Sequence, residues 1–231
     1  MPTYDGYFKN HVKSEYTKDW VIADSAFVYN QLQLIMKYIE PSVLTNGAIF
    51  EVGSGLGRLA HLLSELAIKD YTGIELDKEA ANFANQQFGH LGYRFENADL
   101  FRLGTEDFAT RKYRTVFSFE VLEHLPAPLE SLKIINNLLE EGGYLVATSP
   151  FPFKKNIICD STHLSVLHPL NWRRLLELAG FDIIVIRPMT FLPMLWRFHK
   201  KLNVILPWYV PGFKLVSTSL IIARKKMDSG R

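Results

Sequence analysis

Cysteine is almost absent: Cys159 is the only one in 231 residues. That excludes an internal disulfide or a zinc cluster and fits a reducing compartment. No stretch reaches the ~18 uncharged apolar residues of a spanning helix. The opening MPTYDGYFKNHVKSEY is polar and charged, unlike a secretory signal. The expected address is therefore the cytoplasm. An excess of one charge is missing too: the net charge is +2, and no basic run is long enough to argue for nucleic acid. The sequence contains no internal repeat and no low-complexity segment.

What is present is ordinary globular material, 48% hydrophobic and 22% charged. A chain of this size hides roughly 70% of its unfolded surface, enough for a sizeable core. From about residue 47, strand-like and helix-like segments alternate. AIFEV (48–52), YTGIEL (71–76), YRFENA (93–98), RTVFSF (114–119) and YLVATS (144–149) read as strands. RLAHLLSELA between the first two puts Leu59, Leu62, Leu63 and Leu66 on one helical face. APLESLKIINNLLE does the same with Leu129, Leu132, Ile135 and Leu139, and Gly142-Gly143 is expected to stop it. A helix over 170–180 follows, and FDIIVIR and KLVSTSLIIARK close the chain as strands. This order implies a mostly parallel sheet with helices on both faces.

Ligands on such sheets bind beyond the carboxyl ends of the strands. After the first strand comes Gly53-Ser54-Gly55-Leu56-Gly57. A nucleoside triphosphate would call for GxxxxGK[ST], and no such string exists. A dinucleotide would call for GxGxxG, but Arg58 stands at the third glycine. What remains is E-x-G-x-G-x-G, beginning at Glu51. The second strand ends in G-I-E-L-D, where Glu75 can accept both hydroxyls of a ribose while Asp77 suits a helix cap. The third is followed by N-A-D-L, whose Asp99 either caps a turn or accepts an adenine amine. Acids stand at three successive strand ends.

EVGSGLGRL, GIELD, NADL and FSFEVLEHL, in that order and spacing, resemble the class I S-adenosylmethionine-dependent methyltransferases. FSFEVLEHLPAP, EGGYLVATSP and DSTHLSVLHPLNWRRLLELAGF are similar to the branch holding the ubiquinone-biosynthesis O-methyltransferases. The resemblance covers about 45–187. It implies a Rossmann-like, doubly wound α/β fold with an antiparallel last strand, and S-adenosyl-L-methionine as cofactor. Gly53, Ser54, Gly55 and Gly57 would approach the cofactor's methionine part, and Glu51 would order that turn. Glu75 with Leu76 would meet the ribose, Asp99 with Leu100 the adenine, and Phe119 would wall the cofactor. The implied organisation is one domain: a helical cap (1–44), a cofactor-binding core (45–187), a hydrophobic insertion (188–215) and the last strand (216–226).

A sulfonium already activates its methyl group, so the protein must chiefly place a nucleophile, and a hydroxyl also benefits from a base. His163, in the long loop after the fifth strand, is the expected catalytic residue, while His124 is expected to pack beneath the cofactor. Asp160, His163 and His168 match no dedicated metal spacing, and no metal is expected. The aromatic N-terminal segment, with Tyr4, Tyr7, Tyr16 and Trp20, is expected to cover the acceptor. That acceptor is a small molecule, a glycan or a lipid-linked compound. Residues 189–214, aromatic around Arg197, His199, Lys200 and Lys201, suggest either a flap over the pocket or a peripheral membrane contact through Trp196 and Trp208.

Overall fold

A computed structural model of the chain describes residues 28–105, 107–158, 160–192, 204–211 and 215–227. Tyr4, Tyr7, Tyr16 and Trp20, and the basic cluster from Arg197 to Lys201, lie outside them.

The chain enters as a helix, α1 (28–35), and a short turn of helix, α2 (Pro41–Thr45). Then follow β1 (Ile49–Val52), α3 (Arg58–Glu65), β2 (Tyr71–Glu75), α4 (Lys78–Phe88) and β3 (Arg94–Asn97). A small helix, α5 (Asp107–Thr110), leads to β4 (Tyr113–Phe119), α6 (Pro128–Leu138) and β5 (Leu139–Pro150). The remaining elements are α7 (Lys154–Ile158), α8 (Pro169–Leu178), β6 (Phe181–Phe191), β7 (Ile205–Leu206) and β8 (Val216–Lys225).

Among the described residues, eight strands form one sheet in the order β3-β2-β1-β4-β5-β8-β6-β7. The pairs from β3 to β5 are parallel, and β8 runs antiparallel to both β5 and β6. The strand order reverses between β1 and β4, so the loops after these strands open onto a shared crevice. Helices cover both faces, and alternation along β8 supplies both cores. Leu220 and Ile222 join Ile35, Leu63 and Phe117 on one side. Ile221 and Ala223 join Phe50, Leu132 and Trp172 on the other. No helix among the described residues is long and apolar enough to cross a membrane.

Several boundaries differ from the sequence reading for local reasons. In α3, Ala60 is buried with Leu59, Leu62 and Leu63, whereas Leu66 is the C-cap and 37% exposed. Helix α6 ends at Leu138, four residues before the glycines; Leu139 is fully buried and already pairs with Tyr113 at the start of β5. Gly142, at φ +69°, sits where the β4–β5 register shifts, so the glycine pair bends a strand and does not end a helix. Met189, Thr190 and Phe191 are buried in β6 opposite Val216–Thr218, so they belong to the sheet and not to the insertion. Residues 193–203 and 212–214 of that insertion lie outside the described residues, and β7 makes an edge strand the sequence did not announce.

Candidate functional site

The turn after β1 is held by backbone. Gly53 and Ser54 N–H both donate to Ile74 O, at 2.9 and 3.0 Å, and Gly57 N–H donates to Ser54 O at 2.9 Å. Gly53, Gly55 and Gly57 have φ of +74°, +50° and +79°. The last two differ in what surrounds them. A Cβ at Gly57 would lie 2.7 Å from the Phe88 ring, whereas one at Gly55 would meet nothing within 4 Å. Gly57 is therefore small because helix and strand close on it. Gly55 is small beside open space, as a backbone that a ligand approaches would be.

Glu75 ends β2 with its carboxylate turned toward that turn. One oxygen accepts from Gly55 N–H at 2.9 Å, the other from Asp77 N–H at 3.0 Å. Burial pushes its pKa up, and these two N–H groups pull it back. Asn97, which the sequence reading passed over, donates to Glu75 O and Leu76 O at 3.0 and 2.8 Å, fixing the chain where it leaves β2. Leu76 is 45% exposed beside it. Asp77 caps α4, accepting from Glu79 and Ala80 N–H.

Glu51 lies deeper. It is almost fully buried and accepts a hydrogen bond from the Tyr71 hydroxyl. Burial lifts its pKa to about 8, with the Tyr71 bond opposing, the Glu75 charge adding and Arg58 opposing. Ser54 is buried against Gly73, which has no Cβ to displace it, and its hydroxyl has no hydrogen-bond partner. Asp99 caps the 3-10 turn Leu100–Arg102, accepting from Phe101 N–H at 2.9 Å, with Arg102 3.7 Å from its other oxygen. Leu100 turns its side chain into the core and so has only backbone to offer a ligand. Phe119, half-buried at the end of β4, packs edge-on against Phe117.

Across the strand-order switch a second group gathers. Glu120, the residue after β4, adopts the left-handed conformation, φ +53°, and its Oε1 accepts from the Thr218 hydroxyl at 2.7 Å. Glu123 and His124 follow in the 3-10 turn Leu122–His124, and the loop after α7 brings Asp160, Thr162 and His163 against them. The His124 and His163 rings lie 4.8 Å apart. Burial, with the neighbouring Glu120 charge, pushes the Glu123 carboxyl well above its usual range. Burial also raises Glu120 and lowers His124. Burial works to raise Asp160, but hydrogen bonds from Thr162 outweigh it and hold its carboxyl low.

A family profile described as a methyltransferase domain matches residues 27–185. The chain belongs to this methyltransferase family. No curated protein sequence matches it significantly. Among solved structures it is similar to a candidate methyltransferase from Bacillus halodurans C-125, at 16% identity and a TM-score of 0.64, covering 86% of this chain and 98% of that one. It is also similar to an S-adenosylmethionine-dependent methyltransferase from Archaeoglobus fulgidus, at 18% identity and 0.61, covering 87% and 94%. The [4+2]-cyclase SpnF is similar at 14% and 0.62, covering 86% and 81%. At such identities the likeness is one of fold, and a cyclase among the neighbours shows that reaction must be argued from the site.

Within this methyltransferase the structure brings Gly53, Ser54, Gly55, Gly57, Glu51 and Glu75 to one place, and Leu76 and Asp99 stand at the neighbouring strand ends. His163 joins His124, while His168 leaves the Asp160 string to cap α8, accepting from Leu170 N–H at 3.3 Å. Glu120 and Glu123 were missed, although E-x-x-E-H was visible within FSFEVLEHL.

Proposed function

We propose that the chain transfers a methyl group from S-adenosyl-L-methionine to an oxygen of a small-molecule, glycan or lipid-linked acceptor. The observation that carries this reading is the Glu75 carboxylate seated on Gly55 N–H, beside a glycine whose Cβ direction is empty. An acid at that strand end suits ribose hydroxyls, and the open backbone suits the amino-acid part of the cofactor. The donor set lacks the phosphate-cradling lysine of a P-loop, and Arg58 begins α3 where a dinucleotide fingerprint would have its third glycine.

When bound, the cofactor supplies an activated methyl group. The protein's residues do the rest. Gly53–Gly57, Glu75 and Leu76 hold and orient the donor, Asp99 borders its base, and Phe119 excludes water from one wall. The acceptor enters over the loop after β5, where His163 acts on its hydroxyl proton. The His163 Nδ1 lies 2.5 Å from Asn156 O and so donates to it, which leaves Nε2 as the nitrogen that faces the acceptor. Calorimetry with S-adenosylhomocysteine and with NAD tests the reading. Saturable binding of the first, lost in Gly55→Val while the circular-dichroism spectrum is kept, supports it. Binding of NAD alone, or unchanged affinity in Gly55→Val, overturns it.

A further inference from the structure

We propose that Glu123, His124 and His163 hold a divalent cation that binds the acceptor's hydroxyl oxygen. The proposal rests on the methyl-transfer reading and specifies how His163 serves it: as a ligand, and no longer as a free base. One ligand atom from each of the three residues lies within 4.8 Å of the others. His124 Nε2 and Glu123 Oε1 stand 3.9 Å apart, too far for a hydrogen bond and close enough to converge on one ion.

Both imidazoles are set up as ligands. His124 Nδ1 lies 3.2 Å from Thr162 O, as His163 Nδ1 lies 2.5 Å from Asn156 O. A carbonyl pairs only with a donor, so each Nδ1 carries a proton, and Nε2 is the nitrogen that a neutral ring offers a cation. Metal-bound histidines are oriented in this way by a carbonyl or carboxylate behind them. A further link supports His124: the Thr162 hydroxyl donates to Asp160 Oδ1 at 2.5 Å, which leaves its oxygen to accept from His124 Nδ1 at 2.9 Å.

The independent sign is Glu123 itself. It is 1% exposed, and its Oε2 has no hydrogen-bond partner. The Ser149 hydroxyl lies near enough to lower the carboxyl's pKa as a hydrogen bond does, but the two atoms do not close a bond of normal geometry. A buried carboxylate with so incomplete a set of donors is costly, and a cation removes that cost. The other groups facing this space are Glu120, close enough for its charge to act on Glu123 and to feel His163, and Asp160, whose Oδ2 lies 3.6 Å from His163 Nε2 at the exposed rim.

Two imidazoles and one carboxylate suit zinc or manganese better than magnesium or calcium, and three protein ligands leave a position for another oxygen. A hydroxyl bound there is easier to deprotonate. Its O–H bond breaks, the proton leaves to water, and the oxygen keeps the electron pair as nucleophile.

The test uses the full chain, stripped with a chelator and titrated at constant pH with Zn²⁺, Mn²⁺ or Mg²⁺ alone. One ion per chain is expected, with Mg²⁺ weakest, and a visible absorption band on adding Co²⁺. Glu123→Gln and His163→Asn should each weaken binding by at least about tenfold. Because Glu123 is buried, its variant is checked by circular dichroism; the more accessible His163→Asn decides if it unfolds. No saturable binding, or equal affinity in folded variants, overturns the cation site. S-adenosylhomocysteine is titrated into the same stripped protein. Its binding without any cation binding sinks this proposal and leaves methyl transfer standing; the reverse pattern sinks methyl transfer and keeps the cation.

Discussion

Glu51 is the residue whose environment speaks most clearly in numbers. Its carboxyl titrates near 4.5 in an unfolded chain and near 8 in the fold. Between those values the folded protein keeps a proton that the unfolded chain has released. Stability therefore falls as pH rises through that window, by on the order of 5 kcal/mol once both are charged. Glu51→Gln is neutral throughout and can still accept from Tyr71. Its melting temperature should exceed the wild type's by a margin that grows from pH 5 to pH 8.5; a margin independent of pH would show that Glu51 stays charged in the fold. Glu75 is expected to matter most for binding. Losing a charge-assisted hydrogen bond costs about 1.5–3 kcal/mol, so Glu75→Ala should weaken S-adenosylhomocysteine by about tenfold or more. Asp99→Ala should do less, because an adenine amine offers one neutral donor. A calorimetric ranking in the opposite order would reverse the two roles. Glu75 stood out in the sequence because a carboxylate at an apolar strand end calls for partners, and the fold supplies two in Gly55 and Asp77 N–H. Asp99 was ambiguous, and its capping of the turn at Leu100 shows why: one side chain can serve the turn before any ligand arrives.

At the scale of elements, the β1–α3 turn joins two constraints that a sequence cannot separate. Gly55 and Gly57 are both left-handed, yet only Gly57 is pressed from outside, by Phe88 and Phe95. Alanine strains both backbones by about 1 kcal/mol. At Gly57 it must also push back an aromatic ring between α4 and β3, so Gly57→Ala should lose an additional ~1–3 kcal/mol in a denaturant titration. Equal losses for the two variants would mean that the Phe88 ring swings away freely. The alternation of strands and helices was readable because buried parallel strands are short apolar runs, and β1 to β4 fall within a residue or two of expectation. The end of α6 was not readable. Leu138 and Leu139 are both buried, one in the helix and the other in β5, and local pattern gives no sign of the boundary. The gathering of Glu123, His124 and His163 was beyond reach for another reason: His163 comes from a loop some forty residues later, which lands where Leu164 and Ser165 N–H donate to Glu123 O and His163 pairs with Asn156 O of α7.

For the whole molecule the decisive strand is β8. It stands between β5 and β6 and gives side chains to both cores, so damage to it cannot stay local. Ile222→Asp places a charge at a fully buried position and should abolish cooperative thermal unfolding together with S-adenosylhomocysteine binding. Ile184→Asp, on neighbouring β6 but 41% exposed, should leave both close to wild type. If Ile222→Asp kept a sharp melt and bound ligand normally, the cofactor half would be a separate folding unit.

The position of β8 has a consequence for biosynthesis. Strands β5 and β6 are both translated before the strand that joins them, so the nascent chain carries two unpaired edges until residues 216–225 have left the ribosome. Chains emerge at about 5–20 residues per second, and exposed edges invite pairing with other chains. The glycine turn after β1 can form early, while the sheet beyond β5 waits for its last strand. A ribosome stalled before β8 would therefore display a chain with a finished glycine turn and an open, aggregation-prone flank, the kind of surface that holding chaperones recognise.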